Sequence, residues 1–232
     1  MLNNKAYGNC EAIVMLTDKI SNPRISYIIP GVILAGGMSS RMGGGDKCLL
    51  KLAGETLLSR VIYRLKGQVT KIVLSANGDE GRFASYDIPV VSDSVKGFVG
   101  PLAGILSGLE WAKKHGFKNI VTVAADTPFF PENLVQCLLN TQENSDSLIA
   151  IAATLGSKRK KIRHPTFGLW PVSLCEDLRS SLESGKRKIV LWADEHDATD
   201  VLFPSENFDP FFNINNNEDF SIAKEILRGK NK

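Results

Sequence analysis

The chain has 232 residues, 43% hydrophobic and 23% charged, with 28 Lys+Arg against 25 Asp+Glu for a formal charge of +3. That profile excludes a disordered, collagenous or coiled-coil chain, and so mild a charge gives no argument for nucleic acid. A single domain of this size buries about 70% or more of its unfolded surface without disulfides or metal clamps. No apolar run approaches the roughly 18 residues of a membrane span. The cysteines at 10, 48, 137 and 175 form no C-x-x-C pair, which fits free thiols in a reducing cytosol.

Residues 1–29 form an N-terminal extension of unclear structure, lacking both an Arg-rich amphipathic pattern and a signal-peptide core. Ile28 to Leu34 is an apolar run ending in glycines, the pattern of a buried strand. Leu57, Leu58, Val61, Ile62 and Leu65 recur at helical spacing. Lys71 to Ala76 and Ile88 to Ser92 read as strands. Pro101 to His115 reads as a helix, with proline in its first turn and Gly116 past its end. A strand at Asn119 to Ala124, a helix at Pro131 to Leu139 and a strand at Leu148 to Ala153 follow. The last third is less regular: a strand at His164 to Trp170, a helix from Pro171 to Leu182 stopped by Gly185, a short strand at Phe211 to Ile214 and a closing helix from Glu218 to Leu227.

Alternating strands and helices predict a Rossmann-like three-layer α/β/α fold around a mostly parallel central sheet. Such sheets bind ligands at the carboxyl ends of their strands, so the residues just after each apolar run are the candidates. Leu34 through Lys47 is the most informative of these loops. Five of its fourteen residues are glycine, and it carries Arg41 and Lys47. Glycines let a ligand approach the backbone amides, successive amides form an anion-binding concavity, and the two cations add charge-assisted contacts to phosphates. The alternative is a flexible loop with two solvated cations. The loop is neither a P-loop, since Lys47 follows Asp46 and precedes Cys48, nor a dinucleotide fingerprint, since the third glycine of G-x-G-x-x-G is absent.

The polar positions beyond it each carry two readings. Asp126, directly after an apolar run, suits Mg²⁺ held together with substrate phosphates, and equally suits the N-cap of the next helix. Asn77 suits a base or ribose edge, or an Asn-Gly turn with Gly78. The start of the helix at Gly100 to Gly104 suits an anion or a base, or simply close packing. Asp46 suits turning the loop and holding Lys47. His164 suits a substrate contact or a structural turn. Residues 157–190 hold nine Lys/Arg and three Asp/Glu, whereas 191–219 hold eight Asp/Glu and no Lys/Arg. These are either solvated faces pairing across a fold or a basic rim facing an anion.

Taken in order, these motifs resemble the molybdenum cofactor guanylyltransferases, the MobA family of nucleotidyltransferases. Leu34 through Lys47 matches L-A-G-G-x-x-x-R-M-G-x-x-D-K without a gap. Ala76-Asn77, Asp93-Ser94, Gly100 to Gly104, Asp126-Thr127-Pro128, His164-Pro165-Thr166 and Asn213-x-Asn215 follow in family order. Asn216-Asn217 stands where relatives carry Thr-Pro, which bears on the start of the last helix.

The resemblance implies transfer of GMP from GTP to the phosphate of molybdopterin, giving molybdopterin guanine dinucleotide and pyrophosphate in the cytoplasm. It implies one domain, with a nucleotide-binding half at 30–155 and an acceptor-binding half at 156–232. Arg41, Lys47 and Asp126 are the implied catalytic residues, with Mg²⁺ on Asp126. Leu34, Ala35, Gly36, Gly37, Lys47, Asn77, Asp93 and Asp126 are implied to hold the nucleotide. Arg187, Asn213 and Asn215 are implied to hold the acceptor. Arg187 is preferred over Lys158 to Lys161 because Lys186 to Lys188 begin an expected helix whose N-terminus favours anions. The implied partners are GTP, molybdopterin and molybdoenzyme apoproteins or other cofactor-biosynthesis proteins. Two alternatives remain: a CTP- or sugar-phosphate-using enzyme, against which Gly36 leans because CTP-preferring relatives read L-A-A-G, and a non-catalytic cofactor-delivery protein, against which the intact Arg41, Lys47 and Asp126 argue.

Overall fold

The computed structural model of the chain describes residues 28–36, 46–95, 100–156, 159–205 and 208–229. In chain order its strands are β1 (Pro30–Leu34), β2 (Lys51–Leu52), β3 (Glu55–Thr56), β4 (Lys71–Ser75), β5 (Val90–Val91), β6 (Asn119–Ala124), β7 (Ala150–Leu155), β8 (Lys161–Pro171) and β9 (Thr199–Phe203). Its helices are α1 (Leu57–Lys66), α2 (Pro101–Lys114), α3 (Leu134–Glu143), α4 (Cys175–Glu183), α5 (Ile189–Asp194) and α6 (Asn217–Gly229).

Among the described residues seven strands join in one sheet, in the order β5–β4–β1–β6–β8–β7–β9. β5, β4, β1 and β6 run parallel; β8 is antiparallel to both β6 and β7, and β9 is parallel to β7. This is the Rossmann-like three-layer arrangement that the alternating pattern predicts. Side chains alternate across each strand. Ile33, Val121 and Val123 therefore face a core shared with α1 and α3, while Val32 and Leu34 face a second core with α2, α4 and α5. Trp170 and Trp192 anchor the second core, fully buried with ring centroids 6.0 Å apart. The Trp170 indole N–H is satisfied by Thr122 Oγ1 at 2.8 Å. Truncating such a side chain costs roughly 3–5 kcal/mol.

α2 lies close against the sheet because it has glycine where it crosses. A Cβ at Gly104 would stand 2.8 Å from Ser75 Oγ, and one at Gly108 would stand 2.8 Å from Val32 Cγ2. Close packing therefore accounts for both glycines. α1 begins as a capped helix, with Thr56 Oγ1 accepting from Ser59 N–H at 3.0 Å.

Several elements differ from the sequence pattern. β5 is only Val90–Val91, and α3 begins at Leu134 because the residues after Pro131 form a turn. Val172–Leu174 is a 3-10 turn ahead of α4. Phe211 to Ile214 is not a strand: Phe211 is an anchor, packed edge-on to Phe167 and Phe203. The edge strand β9 has no counterpart in the sequence reading. Its Asp200 is neutralised by Lys161 and by Arg163 at 2.6 Å, and Arg163 and Lys186 also pair with Asp194 and Glu195. The basic and acidic stretches thus pair across the fold, at least through these residues.

Candidate active site

The carboxyl ends of β1, β4 and β6 lie side by side, where parallel α/β sheets receive ligands. Leu34, Ala35 and Gly36 leave the sheet there. Ala35 N–H donates to Ser75 C=O at 2.9 Å, and Leu34 C=O accepts from Ala125 N–H at 3.0 Å. Gly36 is exposed, and a Cβ on it would meet nothing within 4 Å, so its surroundings are open. Gly37 and Arg41 lie outside the described residues.

Lys47 opens a 3-10 turn, Lys47–Leu49, that directs its side chain back across the sheet edge. Its ammonium donates to Asp126 Oδ2 at 2.6 Å, Asn213 Oδ1 at 2.9 Å and Asn215 Oδ1 at 2.6 Å. An ammonium has three N–H groups, and here all three are engaged. Asp126 follows β6, with its side chain about one-quarter exposed. Its carboxylate does not cap a helix: Oδ1 accepts from Thr127 Oγ1 at 3.3 Å, and α3 begins eight residues later at Leu134 with no side-chain cap. Its backbone C=O accepts from Ile214 N–H at 3.1 Å, which holds the Asn213–Asn215 segment over the site.

The last helix is properly started despite Asn216-Asn217. Asn216 Oδ1 accepts from Asp219 N–H at 2.9 Å, and the Asp219 carboxylate accepts from the N–H groups of Asn215 at 2.6 Å and Asn216 at 3.2 Å. This reciprocal box caps the start of α6 with Asn216 and Asp219. His164 supports the same segment from below. It stacks on Phe211 at 4.4 Å, and its Nε2 shares a 2.8 Å hydrogen bond with Thr154 Oγ1. Burial pushes its pKa below the ordinary histidine value, opposed by Asp209. The structural reading of His164 is therefore the one the contacts support.

Asn77 and Asp93 face each other across the ends of β4 and β5. Asn77 Nδ2 donates to Asp93 Oδ2 at 2.7 Å, and Asp93 N–H donates to Asn77 Oδ1 at 2.9 Å. Burial raises the Asp93 pKa, opposed by the Asn77 bond. Gly78 takes the left-handed φ of 86° that an Asn-Gly turn uses. Asp46 does not cap its turn; its carboxylate pairs with Arg82, a residue with no motif around it in the sequence. Cys48 is buried, and burial together with Asp46 pushes its thiol up to about 12, so it is no nucleophile.

Arg187 is exposed, in the loop before α5. α4 runs antiparallel to α2, with Glu176 on Lys113 at 2.8 Å and Arg179 on Glu110 one turn later. Lys186 is paired with Glu195. In the competing basic run, Lys158 lies outside the described residues and Lys161 is paired with Asp200.

Among the described residues no three His, Cys, Asp or Glu side chains form a metal cluster. The candidate cation position is the one that Lys47 fills. One carboxylate and two amide oxygens converge there, a hard-oxygen set that fits Mg²⁺, which takes few protein ligands and completes its shell with water and phosphate.

Lys47 and Asp126 meet at the carboxyl ends of the parallel strands β1 and β6, where such sheets bind ligands. Residues 31–198 match the family described as MobA-like NTP transferase domain, and the chain belongs to that family. A molybdenum cofactor guanylyltransferase of a Bradyrhizobium species is 46% identical over 201 residues, covering 85% of this chain and 92% of that protein. One from Mesorhizobium japonicum is 43% identical over 205 residues, covering 86% and 96%. The fold is shared with a crystal structure from Archaeoglobus fulgidus titled molybdopterin-guanine dinucleotide biosynthesis protein A. The TM-score is 0.68 at 24% identity, covering 87% of this chain and 100% of that one. No helix among the described residues is long and apolar enough to cross a membrane.

Proposed function

We propose that the chain transfers GMP from GTP to the terminal phosphate of molybdopterin, releasing pyrophosphate and forming molybdopterin guanine dinucleotide. The convergence of Lys47, Asp126, Asn213 and Asn215 on one point carries this reading. It brings Lys47 together with the last third of the chain, which supports a site that donor and acceptor share. The name of the two relatives, molybdenum cofactor guanylyltransferase, supports a guanylyl group as what is transferred and the molybdenum cofactor as what receives it.

An acceptor phosphate oxygen attacks the α-phosphorus; a new P–O bond forms there, the α–β P–O bond breaks, and pyrophosphate leaves with its electrons. All the reactants are anionic, so the protein's main task is to neutralise and align them. The loop from Leu34 through Gly37 cradles the donor phosphates. Lys47, with Arg41, faces the outer phosphates and offsets charge building on the leaving group. Asn77 and Asp93 form the nucleoside end. Asn213, Asn215 and Arg187 take the acceptor. Asp126, with the two asparagine oxygens beside it, would hold Mg²⁺, which supplies Lewis-acid polarisation of phosphate oxygens when bound.

Turnover with GTP, Mg²⁺ and molybdopterin, with the product identified by mass, tests the reading. A guanine dinucleotide is expected. A cytosine dinucleotide formed preferentially from CTP, or no turnover with either, overturns it.

A further inference from the structure

We propose that Arg82 is a positioning residue for the nucleotide site, acting through Asp46 to set the place of Lys47; this rests on the reading of Lys47 as a phosphate contact. Arg82 sits in a 3-10 segment, Glu80–Tyr86, beyond β4, and its guanidinium reaches back to the segment that leaves β1. Nε pairs with Asp46 Oδ2, and Nη2 stands 3.4 Å from Asp46 Oδ1. Nη2 also donates to Asn77 C=O at 2.5 Å, and Nη1 donates to Asp79 C=O. The guanidinium carbon lies 4.5 Å from the ring centre of Phe83, itself buried.

Both partners are sheltered, with Arg82 and Asp46 side chains 25% and 22% exposed. An ion pair this far withdrawn from water, fixed by further hydrogen bonds, is worth more than a surface pair. The Asp46 carboxylate does not cap its own turn; among the described residues it pairs with Arg82. Asp46 C=O accepts from Leu49 N–H at 2.9 Å and closes the turn that Lys47 opens. Anchoring Asp46 therefore anchors the backbone from which Lys47 projects. At the other end, Arg82 grips the carbonyl of Asn77, whose side chain holds Asp93. One guanidinium thus joins the phosphate end of the site to the nucleoside end, using a fork that a lysine ammonium does not reproduce.

The test is a double-mutant cycle on the full-length protein: Arg82→Ala, Asp46→Ala and the double variant, with Arg82→Lys and its combination with Asp46→Ala as a second cycle should Arg82→Ala not fold. Calorimetry reads affinity for the nucleoside triphosphate that the wild type binds best of the four, and for the matching monophosphate. Each single alanine variant is expected to weaken the triphosphate about tenfold and the monophosphate less than about threefold. The double variant is expected to be no weaker than the weaker single, the mark of coupled residues. A merely structural role would leave the triphosphate-to-monophosphate ratio unchanged. Arg82→Lys is expected to recover part of the loss, because it restores the charge but not the fork. Losses that multiply, or an Asp46→Ala variant that binds the triphosphate as well as or better than wild type, overturn the proposal; the second result would mean that Arg82 binds the phosphates itself. A wild type that prefers CTP overturns the guanylyl reading and leaves the cycle readable with CTP. A wild type that binds no nucleotide overturns both.

Discussion

Lys47 and Asp126 are separated by 79 residues in the chain and by 2.6 Å in space, ammonium against carboxylate. The same ammonium is shared with Asn213 and Asn215, so the lysine holds the place of a cation among three oxygens. Under the proposed function, arriving phosphates would compete with those oxygens for the lysine, and Mg²⁺ would compete with the lysine for the oxygens. The four side chains are thus satisfied by one another, which removes the cost of leaving them unpaired.

Asp126→Asn tests the carboxylate. The backbone bond from Ile214 and the sheet around β6 are untouched by the change, so the melting temperature should stay within a few degrees, about the effect of a 1 kcal/mol change. Turnover in Mg²⁺ should fall by about 10²–10³, the usual loss when a preorganised charge contact is removed. Wild-type turnover in this variant would rule out the metal assignment.

Lys47→Ala should weaken GTP more than GMP, because the ammonium is assigned to the outer phosphates. Calorimetry with the two nucleotides decides the point, and equal losses would place Lys47 elsewhere.

Arg187→Ala should raise the apparent KM for molybdopterin and leave GTP affinity within about twofold, the pattern of lost acceptor binding. The control is neutralisation of Lys160 and Lys161, of which Lys161 is already paired with Asp200. A larger effect on molybdopterin from that pair, or an equal fall in GTP affinity at Arg187, would refute the placement.

Asp93 gives a pH dependence with a definite sign. Burial raises its pKa, so the folded state holds this proton more tightly than the unfolded state does. Its favourable contribution is fully present below the unfolded carboxylate value, about 3.9, and is lost as pH rises through the folded value. Once ionised, the partly buried carboxylate therefore costs stability. Asp93→Asn should melt higher than wild type near about pH 7.5, with the gap closing toward about pH 3. A melting series in which the gap instead widens on acidification would contradict the burial argument.

The sheet was readable because Val32 to Leu34 and Ile120 to Ala124 are apolar runs ending where the chain must leave the core. The glycine loop and Asp126 were readable because they stand at those ends. β9 escaped because Asp200 interrupts its pattern, and the cations that neutralise Asp200 come from β8, 37 and 39 positions earlier in the chain. Phe211 to Ile214 looked like a strand because aromatic anchoring and strand pairing draw on the same residues. Arg82 gave no signal at all: its importance lies wholly in what the fold sets opposite its guanidinium. Asn213 and Asn215 were assigned to the acceptor, but nothing in their local sequence pointed to Lys47, 166 and 168 positions away.

The span between Lys47 and its asparagine partners has a consequence for synthesis. A ribosome makes Lys47 well before the Asn213–Asn215 segment, which is held by Ile214 N–H on Asp126 C=O and by the Asp219 carboxylate at the start of α6. A chain that stops near residue 200 contains β1, β4 and β6 but lacks the two asparagines that share the Lys47 ammonium. Closure of the Lys47 position therefore waits on residues made 166 and 168 positions after the lysine itself.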